Sequence, residues 1–392
     1  MNLWENELKK RLQRIETAGC YRQLHPVEGA VGSALTRNGK KLINLSSNNY
    51  LGFAGLKEVQ DGARQALERG GSSTASRLIV GTDEATVNLE KEIAAWKGKE
   101  AALLFGSGFL ANIGVLSSLL RRGDAVFSDE LNHASIIDGI RLSHAERYRY
   151  RHRDMGQLEQ QLVDAETRGI QHKLIVSDSV FSMDGDEAPL LQLIELKKKY
   201  GAALILDEAH ASGVWGAEGA GLAHHYGVAD EVDLLMGTFS KAFGAYGAYV
   251  AGERVWIDYL INSARSFIYT TALPPATIGT IAAALEVVRS AEERRCMLKQ
   301  KADWFRTHLR ERGWETAGST TQIIPLLIGS SERAMKVSQQ LIDEGILAVA
   351  IRPPTVPAGR ARLRFSLMAT HTEEELEHVV KVLARMSVPS SI

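Results

Sequence analysis

Between about residues 98 and 250, short apolar runs alternate with helix-length stretches whose apolar positions recur every three or four residues. "AALLF" (101–105), "AVFS" (125–128), "KLIVSDSVF" (173–181), "ALILD" (203–207) and "DLLMGT" (233–238) read as strands. They are too short for helices and apolar on both faces, as strands covered on both sides are. Between them lie helical patterns such as "ANIGVLSSLLRRG" and "LLQLIELKKKYG", the second stopped by Gly201. The alternation predicts an α/β fold with a mostly parallel central sheet covered by helices.

The texture changes after about residue 275. A long helical pattern runs from Ala276 towards Arg312, followed by strand-like "QIIPLLI", a helix "SERAMKVSQQLIDEG", and strands "ILAVAI" and "ARLRFSLM". Thr372, with Glu375 three residues on, opens a last helix with a capping box. At the other end Leu8, Leu12 and Ile15 recur at helical spacing, predicting an amphipathic helix packed on the body. The expected organisation is an N-terminal helical arm (1–45), a large α/β domain (46–280) and a smaller C-terminal α+β domain (281–392).

Composition narrows the function classes. Hydrophobic residues make up 45% of the 392 and charged residues 24%, as in a globular protein with a large core. A net charge of −1 offers no basic field for nucleic acid. Two cysteines, Cys20 and Cys296, are too few for a disulfide framework and suit a reducing compartment. The first twenty residues lack the apolar core of a signal peptide, and no run is long enough to span a membrane. A cytoplasmic protein is expected.

Ligands of open α/β sheets bind beyond the carboxyl ends of the strands. The residues there are Gly106 to Phe109, Asp129 to His133, Ser182, Asp207 to His210, and Thr238 to Lys241. Gly106, Gly108 and Ala111 match the dinucleotide pattern G-x-G-x-x-G/A, so a nicotinamide dehydrogenase is one reading. It leaves Lys241, Asp207 and His210 without a task. "LDEAH" resembles the acidic box of helicases, but no phosphate loop G-x-x-x-x-G-K-[ST] accompanies it. A metal held by Asp207 and His210 is a third possibility. Pyridoxal phosphate uses the whole set, since it needs a lysine for its aldehyde, a carboxylate for its pyridine nitrogen and donors for its phosphate. Lys241 and Asp207 supply the first two. His133 would lie over the ring, His210 and Thr238 would reach its oxygens, and the amides of Gly108 and Phe109 would take the phosphate. Read alone, His133 is also a helix-start residue and Ser182 a turn cap.

At these residues the chain resembles the α-oxoamine synthases, which are fold-type I pyridoxal-phosphate transferases. The resemblance runs from about Arg22 to the last helix. It is carried by "NYLGF" (49–53), "GSSTASRLIVGT" (71–82), "FGSGFLAN", "LNHAS" (131–135), "SVFSMDGD" (179–186), "DEAHASGVWG" (207–216), "GTFSKAFG" (237–244), "FIYTTALPP" (267–275) and "IRPPTVPAGRARLRFSL" (351–367). It implies Lys241 as the Schiff-base lysine and base for the α-proton, Asp207 as pyridinium partner and His133 as stacking residue. Ser182, His210 and Thr238 are placed around the cofactor, and Thr271 on the phosphate of a neighbouring subunit, hence a homodimer with shared sites. Arg364 matches the arginine that grips the amino-acid carboxylate, a bidentate task; Arg22 and Thr355 match substrate-contacting positions. Asn88 departs from the family's usual histidine. "RPPTVP" looks most like members that join L-alanine to a pimeloyl thioester, carried on coenzyme A or acyl-carrier protein. Other members join glycine to acetyl coenzyme A.

Overall fold

The computed structural model describes residues 2–29 and 32–388. The chain forms two compact units. One runs from Asn49 to Ser182 and from Glu187 to Met297; the other holds the residues up to Asn48, Met183–Asp186 and those from Leu298 on. The helix Glu292–Glu311 carries the chain from the first into the second.

The larger unit is built on a seven-stranded sheet. Its strands, numbered within this sheet, are β1 (Ala101–Phe105), β2 (Ala125–Asp129), β3 (Glu146–Tyr150), β4 (Lys173–Asp178), β5 (Ala203–Asp207), β6 (Leu234–Thr238) and β7 (Ala248–Gly252). Their order is β1-β7-β6-β5-β4-β2-β3. β2 is parallel to β3 and β4, and the β4–β5 and β5–β6 pairs are parallel too. β7 alone is antiparallel to its neighbours β1 and β6. Every residue of β1, β2, β4, β6 and β7 is buried, and the first four accordingly read as apolar runs. Val126, Val176, Ile205, Leu234 and Val250 form one core with Val115 and Leu116 of the helix Gly108–Leu119. Each such side chain contributes about 1.5–3 kcal/mol through burial.

β3, "ERYRY", went unrecognised in the pattern for a physical reason. It is an edge strand whose Arg147 and Arg149 face solvent, and charge on an edge blocks stray pairing. The helical pattern after residue 275 is two helices, Pro275–Ser290 and Glu292–Glu311, parted at Ala291.

The smaller unit has two three-stranded sheets. Ala34–Arg37, Lys40–Asn44 and Ile346–Leu347 make one; Ile323–Gly329, Ala361–Ser366 and Val349–Ile351 make the other, with Ala361–Ser366 central. Pro325 is tolerated because its strand lies at an edge. The expected single strand "ILAVAI" is therefore two, entering different sheets on either side of the buried Ala348. The capping box at Thr372 is formed, each partner bonding the other's backbone amide.

The N-terminal helix spans Leu3–Thr17, but none of its residues is buried. Leu8, Leu12 and Ile15 remain 51%, 49% and 42% exposed, so the expected packing on the body is not made within one chain.

His371, just before the helix Glu373–Ala384, is buried. Its Nδ1 accepts from the Met368 amide at 2.9 Å, and Nε2 lies 3.1 Å from the Asn44 carbonyl. Burial pushes the ring down to about 4, well under its ordinary 6.5. Between those values the unfolded chain binds a proton that the native ring refuses. Stability should therefore fall as pH drops from 6.5 to about 4, by roughly 1.4 kcal/mol per pH unit, and this loss should stop below 4. Chemical denaturation across that range should show a shallower slope for His371→Asn than for the wild type.

Candidate active site

The carboxyl edge of the sheet gathers the chemistry of the larger unit. Asp207 ends β5 and is 4% exposed; its Oδ2 accepts from Asn112 Nδ2 at 2.8 Å and its Oδ1 from the Ala209 amide at 2.9 Å. Asp178 ends β4 directly beside it in register. Burial and the Asp207 charge push the Asp178 carboxyl well above the usual carboxylate range, with Lys241 opposing. Asp178 Oδ2 accepts from the His133 amide at 2.9 Å.

Lys241 sits on the turn between β6 and β7. Thr238 Oγ1 donates to the Gly247 carbonyl at 3.0 Å, and the Phe239 amide donates to the same carbonyl. The Ser240 amide in turn donates to Thr238 Oγ1 at 3.3 Å, and the Gly244 amide to the Lys241 carbonyl at 3.0 Å. Gly244 has φ +62°, and a Cβ there would run into the Ala54 backbone. Only glycine satisfies both demands. Thr238, expected on the cofactor, thus braces the lysine turn.

His133 caps the helix Ala134–Leu142, its Nδ1 accepting from the Ser135 amide. The residue is exposed, while neighbouring protein strips part of the ring's solvation. That lost solvation, opposed by Asp207 and reinforced by the Lys241 cation, holds it below its ordinary value. His210 is buried, its Nδ1 2.6 Å from the Tyr50 hydroxyl. Gly108 and Phe109 open the helix Gly108–Leu119 after the cap Ser107. Ser182 lies between β4 and β5 and is half-buried. Thr271 is exposed and bridges Ser76.

The three expected substrate residues belong to the smaller unit. Arg22 Nη2 is 3.4 Å from Thr355 Oγ1, both exposed. Arg364 lies on the central strand of its sheet, 8% exposed, donating to Ser366 Oγ at 2.6 Å and Asn48 Oδ1 at 3.1 Å. Asp129, the acidic residue of the dinucleotide reading, is committed to local structure; it accepts from the Leu131 and Arg153 amides at 2.9 Å and faces His152. Among the described residues no group of three His, Cys, Asp or Glu side chains is placed to hold a metal ion.

Sequence reasoning passed over Asn112, Ser135, Asp178 and Tyr50. Asn112 and Ser135 stand inside the quoted blocks "FGSGFLAN" and "LNHAS", but a polar residue within a helix start signals a turn or cap as readily as a site. It also passed over the partner of "DEAH". Glu208 and Lys97, both 0% exposed, pair at 2.5 Å; Lys97 also donates to the Ala220 carbonyl, and Glu208 accepts from the Ala223 amide at 2.8 Å. The pair ties residues 208–223 behind Asp207.

A buried carboxylate, a lysine on a braced turn and a helix start after glycines are the donor types that pyridoxal phosphate requires. The residues fit that group. The aminotransferase class I and II family profile matches residues 40–383. A Bacillus cereus protein described as "Putative 8-amino-7-oxononanoate synthase" is 49% identical over 385 residues, 98% of this chain and 97% of its own. A Bacillus mycoides protein of the same description is 47% identical over 386 residues, again 98% and 97%.

The chain is an α-oxoamine synthase of this family.

Solved structures agree with that assignment. A serine palmitoyltransferase from S. paucimobilis, bound to a PLP–myriocin aldimine, is similar at TM-score 0.90 and 29% identity, over 98% of both chains. An 8-amino-7-oxononanoate synthase from Francisella tularensis is similar at TM-score 0.75 and 27% identity, over 88% of this chain and 97% of the other. The fold is the fold-type I transferase fold, and the cofactor of this synthase is pyridoxal phosphate. No helix among the described residues is long and apolar enough to cross a membrane.

Removing one half of a buried ion pair strands the other charge without water. Glu208→Ala should therefore cost about 3–5 kcal/mol in urea unfolding, while the double variant Lys97→Met, Glu208→Leu should recover most of that loss.

Proposed function

We propose that this synthase condenses L-alanine with a pimeloyl thioester to 8-amino-7-oxononanoate, releasing carbon dioxide and the free carrier thiol, as a step of biotin synthesis. The reading is carried by the 49% identity, sustained end to end, to a protein described as such an enzyme. The "RPPTVP" loop, in which Thr355 meets Arg22, supports it.

Bound pyridoxal phosphate supplies an electron sink that makes the amino-acid α-carbon nucleophilic. Lys241 Nζ would hold the cofactor's aldehyde and, when freed, would take the amino-acid α-proton and later return it. Asp207 would face the cofactor's ring nitrogen. His133 would line the ring, with His210 and Ser182 towards its oxygens and the Gly108 and Phe109 amides towards its phosphate. Arg364 takes the alanine carboxylate, its planar fork matching two oxygens. Arg22 takes the remote carboxylate of the pimeloyl chain, with Thr355 beside it.

The working form in this reading is a homodimer. Leu78, Ile79 and Val80 are 50%, 75% and 79% exposed, next to Thr271 and the exposed Tyr269. Such a patch is costly to leave wetted. A second copy would cover it and bring Thr271 to the partner's cofactor phosphate.

Two outcomes test the reading. Lys241→Ala should fold and dimerise, yet lose the borohydride-reducible absorbance and turnover by at least about a thousandfold, the scale of losing a nucleophile and base together. Steady-state assays should favour alanine over glycine or serine, and pimeloyl over acetyl or palmitoyl thioesters. Arg22→Ala should raise KM for the pimeloyl substrate about tenfold while leaving acetyl transfer unchanged. Faster condensation of glycine with acetyl coenzyme A would instead make this a 2-amino-3-ketobutyrate coenzyme A ligase.

A further inference from the structure

An unbroken line of hydrogen bonds joins the carboxylate of Asp207 to the ring of His133. Asn112 Nδ2 donates to Asp207 Oδ2 at 2.8 Å and to Ser135 Oγ at 2.9 Å. Ser135 Oγ lies 2.7 Å from His133 Nδ1, and the Ser135 amide donates to the same nitrogen at 3.3 Å. Asn112 and Ser135 are 2% and 0% exposed, so water does not intervene.

Each link has one permitted direction. A carboxylate only accepts, so it must meet the amide nitrogen of Asn112 and not its oxygen. The second N–H of that nitrogen enters a lone pair of Ser135 Oγ, leaving the hydroxyl proton to go to the imidazole. The backbone amide of Ser135 cannot accept at all. His133 Nδ1 therefore presents a lone pair to two donors, and the proton of the neutral ring belongs on Nε2.

We propose that Asn112 and Ser135 are positioning residues that hold His133 as the neutral tautomer protonated on Nε2, leaving Nε2–H as the ring's one donor. The inference rests on the reading of His133 as a cofactor-facing residue. Its place at a helix start, where a cation is disfavoured, works in the same direction. The charged groups around the ring are Asp207 after β5, Lys241 after β6, and Asp178 after β4, which accepts from the His133 backbone. Burial and Lys241 oppose a cationic ring and Asp207 favours one; the net direction is down. A histidine held in this way meets the substrate as a hydrogen-bond donor of fixed orientation rather than as a mobile charge.

Nitrogen-15 NMR of the histidine-labelled holoenzyme tests this without turnover. The His133 signals are identified by their loss in His133→Gln. The wild type should show an unprotonated Nδ1 and a protonated Nε2 at neutral pH, with a titration midpoint below 6.5. Ser135→Ala removes a donor to the neutral form, so the midpoint should rise by about one pH unit and the Nδ1–H tautomer should become visible. Asn112→Ala should move both in the same direction. A wild-type ring protonated on Nδ1, or a midpoint unmoved by Ser135→Ala, overturns the proposal. Normal turnover by His133→Gln would instead remove the catalytic place given to His133 and leave the tautomer result standing, so the two failures are separable.

Discussion

Two aspartates stand side by side at the buried carboxyl edge of the sheet, and the arrangement around them follows from that crowding. Asp178 and Asp207 are in register on adjacent parallel strands and 5% and 4% exposed. Two like charges in so dry a place cannot both persist. The protein resolves the conflict by unequal company. Asp207 receives donors on both oxygens, from Asn112 and Ala209. Burial and the neighbouring Asp207 charge push the Asp178 carboxyl well above the usual carboxylate range. Asp178 in turn anchors His133 through its backbone amide.

Behind this edge two local restraints hold the larger unit's backbone in place. The Lys97–Glu208 pair fixes the segment after β5 from inside the core, and Gly244 seats the Lys241 turn against the Ala54 backbone. Both restrict where Asp207 and Lys241 can be. The apolar surface near Thr271 stands in contrast, exposed where the body of the unit is closed.

How much of this was legible in the sequence depended on how each element is buried. β1, β2, β4, β5 and β6 announce themselves because their apolar runs lie between covering helices. β7 hides inside a glycine-rich stretch, and β3 is half polar because one side of it meets solvent. The N-terminal helix was legible as a helix, whereas the destination of its apolar face was not, since periodicity says nothing about what covers a face. Strand-end logic singled out Asp207, His210, Thr238 and Lys241, which lie at or just after the ends of β5 and β6. Asn112 and Ser135 escaped it because their meaning lies in direction: which atom faces which partner is a property of three-dimensional placement. Thr238 lies at such a strand end with its hydroxyl bonded to its own turn.

Ala348 has a consequence for how this chain can vary. Ile346 and Leu347 pair with Ile43 and Asn44 in one sheet; Val349 to Ile351 pair with Arg364 to Arg362 in another. A single buried residue separates the two ladders, its carbonyl held by Ser338 Oγ at 2.7 Å. Inserting or deleting one residue there would flip the side chains of one ladder to the opposite face, whichever ladder kept its alignment. Substitutions of similar size can be absorbed, but a change of length cannot. Between Gly345 and Arg352 the spacing of the chain is thus a stricter inheritance than its lettering.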